Sequence, residues 1–73
     1  MEQVKNNVIP RNAVKIVMQA LTGCNAWNEG ETITAIKDEF GWHFYDEKNQ
    51  KGWYLSPSFM RNGYYFKFID VIR

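Results

Sequence analysis

Side chains that could carry out acid–base or nucleophilic chemistry are few in this sequence, and none stands beside a suitable partner. The only histidine, His43, lies between two aromatic residues, which is typical of a histidine packed in a β-sheet rather than of a general base. The only cysteine, Cys24, has no basic neighbour in sequence that would favour its thiolate. The carboxylate pairs Asp38-Glu39 and Asp46-Glu47 fall in polar segments, where exposed acids are ordinary. With no phosphate loop and no metal-ligand spacing, the sequence predicts no catalytic residue, no metal site, no cofactor and no enzyme activity.

Aromatic residues are far more numerous, and their positions favour binding over catalysis. Eleven of the twelve lie between Phe40 and Phe68. In the segment YYFKFIDVI, the two-residue period of a strand places Tyr64, Phe66, Phe68 and Ile72 on one side and Tyr65, Ile69 and Val71 on the other. A small barrel buries one face of each strand. Two explanations remain for Tyr65, Ile69 and Val71. Either the N-terminal segment and loops cover them, or they are exposed, as the anchor residues of an interface are.

The size and charge of the chain exclude several classes of protein. Its 73 residues suffice for one small domain, and a single cysteine allows no internal disulfide. The net charge of +1 argues against strong general binding to nucleic acid or membrane, so we expect no tight binding to nucleic acid alone. The charge is uneven: residues 1–20 carry +2, residues 21–49 carry −4 and residues 50–73 carry +3. The acidic middle is explained either by solvated loops or by a surface that meets a basic partner.

Periodicity and turn signals divide the chain into an arm and a folded domain. Residues 1–12 lack periodicity and predict a flexible N-terminal arm, and residues 13–73 predict the domain. Within the domain, residues 13–21 (AVKIVMQAL) fit either a helix or a strand, and their periodicity does not separate the two. The turn-rich residues 22–30 predict a loop.

From residue 31 onward the pattern is that of β structure. Trp42, Phe44 and Asp46 alternate with His43 and Tyr45, and a turn at Asn62-Gly63 precedes a predicted strand from Tyr64 to Ile72. Short strands between turns every 8–12 residues indicate a small all-β barrel or sandwich. A helix at residues 13–21 would make the fold α+β instead.

Residues 30–60 carry a resemblance to a known fold. They read GETITAIKDEFGWHFYDEKNQKGWYLSPSFM, with a glycine-acid start, an I-x-A-I strand, a turn into W-x-F, a polar loop and G-aromatic-aromatic-x-x-P-x-aromatic. This is similar to the central half of an SH3-like barrel. The resemblance implies that GWYLSPSFM is a short strand running into a one-turn 3₁₀ helix, with Pro57 fixing the corner, and it favours a strand at residues 13–21. The first loop, TGCNAWNEG, lacks the acidic-aromatic segment of peptide-binding SH3 domains, which argues against binding of proline-rich peptides.

The chain also resembles a class of small phage-encoded transcription regulators, represented in a Xanthomonas phage, that bind the RNA polymerase of the bacterial host. The resemblance lies in the length, the acidic middle and the N-terminal arm. It implies a non-catalytic protein that inhibits initiation by displacing the σ factor and promotes antitermination. We expect the protein to be a monomer. We also expect it in the cytoplasm, which is the host bacterial cytoplasm if the chain is phage-encoded, because no signal peptide or membrane-length segment is recognisable.

The predicted partner-binding residues come from the arm and from the aromatic segment. They are Val4, Lys5, Asn7, Val8, Ile9, Pro10, Arg11, Trp42, Trp53, Tyr54 and Tyr65. Two alternatives stay open. One is a small barrel that binds nucleic acid through Trp42, Lys51, Trp53 and Tyr54, and the other is an inhibitor of a different host protein.

Overall fold

The structure, a computed structural model, describes residues 7–73 and builds five strands and one short helix from them. The elements are β1 (Lys15–Ala20), β2 (Thr32–Asp38), β3 (Gly41–Asp46), β4 (Lys51–Leu55), α1 (Pro57–Met60) and β5 (Phe66–Ile72). The strands form one antiparallel sheet in the order β4-β3-β2-β1-β5. The all-β prediction is confirmed. Within residues 7–73, no helix is long and apolar enough to span a membrane.

β1 is an interior strand of the sheet, and it settles the ambiguity at residues 13–21. Its side chains alternate strictly: Ile16, Met18 and Ala20 are buried, while the residues between them are partly exposed. β1 pairs with β2 on one side and with β5 on the other. β-branched residues and two neighbouring strands stabilise the extended form, so the strand interpretation is confirmed.

β2 is shared between two parts of the sheet, which curves the sheet into a small barrel. Residues from Thr32 to Ile36 pair with β1, whereas only Ile36 to Asp38 pair with β3. The inward side chains of all five strands meet in one core, together with α1 and the loop between β1 and β2. The core residues are Ala13, Ile16, Met18, Ala20, Trp27, Ile33, Ala35, Trp42, Leu55, Met60, Phe66 and Phe68.

The corner at residues 52–60 is a strand followed by one helical turn, as predicted, but the turn is α-helical rather than 3₁₀. β4 ends at Leu55, and Ser56 caps α1 by accepting a hydrogen bond on its hydroxyl oxygen from the backbone N–H of Phe59, at 3.1 Å. Pro57 occupies the first turn, where its missing N–H costs nothing. Met60, at the other end of the turn, is fully buried. The corner thus directs the chain back across the core into β5.

β5 differs from the prediction in where it begins and in its second half. The strand begins at Phe66, and Tyr64 lies in the preceding turn. Met18 pairs with Phe68 and Val17 with Asp70, so one residue of β5 has no counterpart and forms a bulge. After the bulge the alternation reverses, which turns Val71 toward the core and exposes Ile72. The predicted grouping of Ile72 with the buried phenylalanines is therefore wrong.

Candidate interaction surfaces

The predicted partner-binding residues fall in two separate places. Val4 and Lys5 lie outside the described residues. The other arm residues run from Asn7 to Arg11, and Asn7 contacts β5 at one edge of the sheet, whereas Trp53 and Tyr54 lie on β4 at the other edge. The structure therefore offers two regions rather than one continuous site.

Asn7 attaches the N-terminal segment to β5. Its side-chain Nδ2 donates to the carbonyl of Phe66 at 2.7 Å, and its Oδ1 accepts from the backbone N–H of Phe68 at 3.0 Å. One carboxamide thereby satisfies two backbone groups on the outer edge of β5, as a paired strand would. Ile9 packs against the core, while Val8 is 60% exposed. Residues 7–9 thus contact the barrel, although the sequence predicted a loose arm there.

Replacing Asn7 with alanine is expected to lower the free energy of unfolding by about 1–2 kcal/mol, because two hydrogen bonds to the edge of β5 are lost. The matched control is Val8→Ala, which removes an exposed side chain and should cost less than about 0.5 kcal/mol. Chemical denaturation of both variants measures the difference. Equal stability of the two variants would show that the Asn7 contact contributes nothing.

Two of the predicted anchors have too little free surface to bind a partner. The side chain of Trp42 is only 4% exposed and belongs to the core. The alternation of residues 42–46 predicted a strand with one buried and one exposed face. In the structure Trp42 lies on the buried face, together with Phe44 and Asp46. Tyr65 is partly buried, with its ring 4.9 Å from that of Phe59. Trp42 is therefore corrected from a binding residue to a structural one.

An exposed cluster, here called the aromatic face, covers the outer side of β2, β3 and β4. Cross-strand partners share one side of a sheet, and the register pairs Ile36 with His43 and His43 with Tyr54. Tyr45 lies two residues beyond His43 and so on the same side. The turn between β2 and β3 adds Phe40, whose side chain is 77% exposed. Four of the five members are among the large exposed hydrophobic residues: Ile36, Phe40, Tyr45 and Tyr54.

The rings of the aromatic face hold one another in place. The Tyr54 ring centroid lies 5.3 Å from that of His43 and 6.4 Å from that of Phe40, both in edge-to-face geometry. Gly52, the cross-strand partner of Tyr45, makes room for the imidazole: any Cβ at this position would clash with Nε2 of His43. These contacts fix the side chains of the aromatic face in the absence of a partner.

Asp38 fixes the acidic border of the aromatic face. Its Oδ2 accepts a hydrogen bond from the Tyr54 hydroxyl at 2.7 Å, and its Oδ1 accepts from the backbone N–H groups of Phe40 and Gly41 at 2.8 and 3.1 Å. The Tyr54 hydrogen bond lowers the pKa of Asp38, and the same bond raises the pKa of Tyr54. At neutral pH an ionised carboxylate therefore holds a neutral phenol, with Glu39 beside them in the turn.

Trp53 faces the other side of β4 from Tyr54. Its indole Nε1 donates to Oδ2 of Asp46 at 3.2 Å, and the ammonium of Lys51 lies 4.2 Å from its ring centroid. Asp46 is buried and also accepts from the Asn49 side chain at 2.7 Å. The hydrogen bonds from Asn49 and then Trp53 lower the pKa of Asp46. Because Trp53 and Tyr54 face opposite ways and Trp42 is buried, the residues of the nucleic-acid alternative do not form one surface.

Sequence reasoning missed most of the aromatic face. It named Tyr54 but not Ile36, Phe40, Tyr45 or the role of Gly52. The alternation in β3 indicated part of this face, because Trp42 and Phe44 point to one side of the strand and His43 and Tyr45 to the other. One of these two sets had to face outward. The register of the β3–β4 hairpin, which brings Tyr54 beside His43, supplies the missing information.

Comparison of the chain with known proteins identifies no relative. No protein-family model matches it, nor does any curated protein or solved structure. Within the part of the chain from residue 7 to residue 73, no group of three or more His, Cys, Asp or Glu side chains is placed to hold a metal ion. The surfaces described above are therefore the features of the chain that bear on its function.

Proposed function

We propose that the chain is a non-catalytic protein-binding module, a phage regulator that binds the RNA polymerase of its bacterial host. Its binding would inhibit initiation by displacing the σ factor and would promote antitermination. The observation that carries the protein-binding part is the aromatic face, a cluster of exposed rings on a domain with a complete core. The polymerase as the partner follows from the sequence resemblance.

The aromatic face has the composition of an interface centre. Aromatic side chains are enriched among the residues that dominate binding energy, and rings already held in place lose little conformational entropy on binding. Tyr54 is fixed by its contacts with His43, Phe40 and Asp38. A protein partner with apolar side chains would bury these rings.

The charges around the aromatic face favour a partner with basic residues. Asp38 and Glu39 lie at its border, in the turn that carries Phe40. An acidic border attracts a basic surface over a distance of about one Debye length and suppresses the approach of acidic ones. A polyanion such as nucleic acid would meet this face with repulsion, which supports a protein partner there.

The arm is the second proposed contact. Val8 and Arg11 are exposed, and the segment that contains them is attached to the barrel through Asn7. A segment anchored at one point presents its exposed side chains at lower entropic cost than a free tail. The arm borders β5 and the aromatic face lies on β2, β3 and β4, so a partner that contacts both has to span the sheet.

The test is capture from a nuclease-treated bacterial lysate on the immobilised chain, followed by mass spectrometry. We expect the subunits of RNA polymerase to be retained by the wild-type chain and lost from the Tyr54→Ala variant. Retention of a different host protein would favour the inhibitor alternative. The same capture is repeated from a lysate without nuclease treatment, and proteins retained only from that untreated lysate would favour the nucleic-acid alternative. Support for either alternative would contradict the proposal.

A further inference from the structure

β4 is an edge strand whose outward backbone groups have no partner within the described chain. The sheet ends with β4 on one side and β5 on the other. Among residues 7–73, no hydrogen bond outside the β3–β4 ladder uses the backbone N–H or C=O of residues 51–55. In an antiparallel ladder, alternate residues point these groups away from the neighbouring strand, so β4 presents a row of free donors and acceptors.

The two edges of the sheet differ in whether their outward backbone groups have hydrogen-bond partners. On β5, the carboxamide of Asn7 pairs with the carbonyl of Phe66 and the N–H of Phe68. On β4, the edge is left open over five residues. An edge strand of this kind is a template for pairing with another extended chain.

An apolar groove runs along the open edge. It encloses about 270 Å³ between the β1–β2 loop, at Cys24 to Trp27, and the consecutive residues Trp53, Tyr54 and Leu55. Successive side chains of a strand point to opposite faces, so a groove that touches all three follows the strand's edge rather than one of its faces. Its size suits apolar side chains of an extended chain. A hydrogen bond from the Asn49 side chain to the carbonyl of Asn25, at 3.0 Å, joins its two walls at one end.

A polar depression adjoins the groove at its end beside Trp53, and the two share Cys24, Asn25 and Trp53. The depression is lined by Cys24, Asn25, Lys48, Asn49, Lys51 and Trp53. Trp53 is 40% exposed and borders both the groove and the depression, and its hydrogen bond with the buried Asp46 fixes its orientation. The ammonium groups of Lys48 and Lys51 favour a carboxylate from a ligand at this end. The nearby carboxylate of Asp46 already accepts hydrogen bonds from Asn49 and Trp53.

We propose that the edge of β4 binds an extended peptide segment of a partner protein by strand addition. An apolar side chain of that segment occupies the groove beside Trp27 and Leu55, and an acidic side chain lies near Lys48 and Lys51. The free backbone groups select a polypeptide, because only another strand matches their spacing. This inference rests on the protein-binding function proposed above, and it adds a further docking site, which adjoins the aromatic face at Tyr54.

The test uses a synthetic peptide, acetyl-Thr-Leu-Thr-Val-Thr-Glu-amide, and the same peptide with alternate backbone nitrogens methylated. Binding is followed by tryptophan fluorescence and by backbone amide chemical shifts. Trp53 should dominate the fluorescence change because the other two tryptophans, Trp27 and Trp42, are buried. We expect saturable binding with shifts confined to residues 24–27 and 48–55, and a loss of about tenfold or more on methylation, because at least two backbone hydrogen bonds are removed. Equal binding of the methylated peptide, or no binding at millimolar concentration, would overturn the proposal.

Trp53, which lines the groove, and Tyr64, which lies outside it, provide matched variants. Trp53→Ala should weaken peptide binding by about tenfold, and Tyr64→Ala, in the exposed turn before β5, should leave it unchanged. Loss of peptide binding in both variants would overturn the assignment to the groove. Concentration-dependent self-association through residues 51–55, or binding of an oligonucleotide in place of the peptide, would overturn the choice of occupant. The peptide experiment contains no polymerase, so its failure leaves the polymerase proposal standing, and failure of polymerase capture leaves the peptide result standing.

Discussion

Replacing Phe66 with alanine is expected to unfold most of the protein at room temperature. Phe66 is about 1% exposed, and its ring lies 5.4 Å from that of Trp27 and 5.2 Å from that of Phe59. A buried phenylalanine-to-alanine change costs about 3–5 kcal/mol. A domain of this size, with no internal disulfide, has a stability of about 3–5 kcal/mol in total. One substitution therefore removes nearly all of it.

The measurement is a urea titration followed by far-ultraviolet circular dichroism. Phe40→Ala is the matched control, because it removes the same side chain from a position that is 77% exposed and should change stability by less than about 0.5 kcal/mol. A Phe66→Ala variant as stable as the Phe40→Ala variant would show that Phe66 is not in the core.

The double substitution Phe40→Ala and Tyr54→Ala is expected to weaken binding to RNA polymerase by about 100-fold or more. The two rings contact each other within the aromatic face, and truncation of an interface aromatic costs about 2 kcal/mol or more. Both side chains are exposed, so the barrel should remain folded. The expected loss is in affinity and appears mainly as faster dissociation.

Tyr64→Ala provides the control for this prediction. Tyr64 is 70% exposed but lies in the turn before β5, away from the aromatic face. We expect this variant to bind like the wild type in a surface-based binding assay. A weakening by Tyr64→Ala equal to that of the double variant would mean that aromatic exposure in general, and not the aromatic face, determines binding.

Much of the fold could be predicted because local chemistry specified it. The strands after residue 31 follow from their spacing between turns, and the corner at Pro57 was implied by the resemblance of residues 30–60 to an SH3-like barrel. β1 could not be assigned from its own residues, because AVKIVMQAL places apolar side chains at both helical and strand periods. Pairing with β2, which follows only after the loop of residues 21–31, and with β5, which begins at residue 66, decides the outcome.

The bulge in β5 escaped prediction for a related reason. An extra residue between Phe68 and Asp70 leaves no mark in the alternation of FKFIDVI, yet it reverses the faces of Val71 and Ile72. The position of the bulge depends on the register against β1. A strand's periodicity gives two faces, and only the tertiary partner determines which face is buried.

The candidate sites were less predictable than the fold. Trp42 looked like an anchor because large aromatics are common both in cores and in interfaces, and burial alone separates the two. Asn7 had no sequence signal for pairing with β5, which lies about sixty residues away. Gly52 is explained by the ring of His43 across the hairpin. Each of these roles arises from a contact between residues distant in sequence or across strands.

Titration of purified bacterial RNA polymerase with the fluorescently labelled full-length chain tests the central claim most directly. The account predicts saturable binding with a dissociation constant of about 1 μM or tighter, in the range of specific protein interfaces. It also predicts that the unlabelled wild-type chain competes for this binding and that the Phe40→Ala, Tyr54→Ala double variant does not. Binding that fails to saturate by about 10 μM, or that the double variant competes for as well as the wild type, would contradict the account.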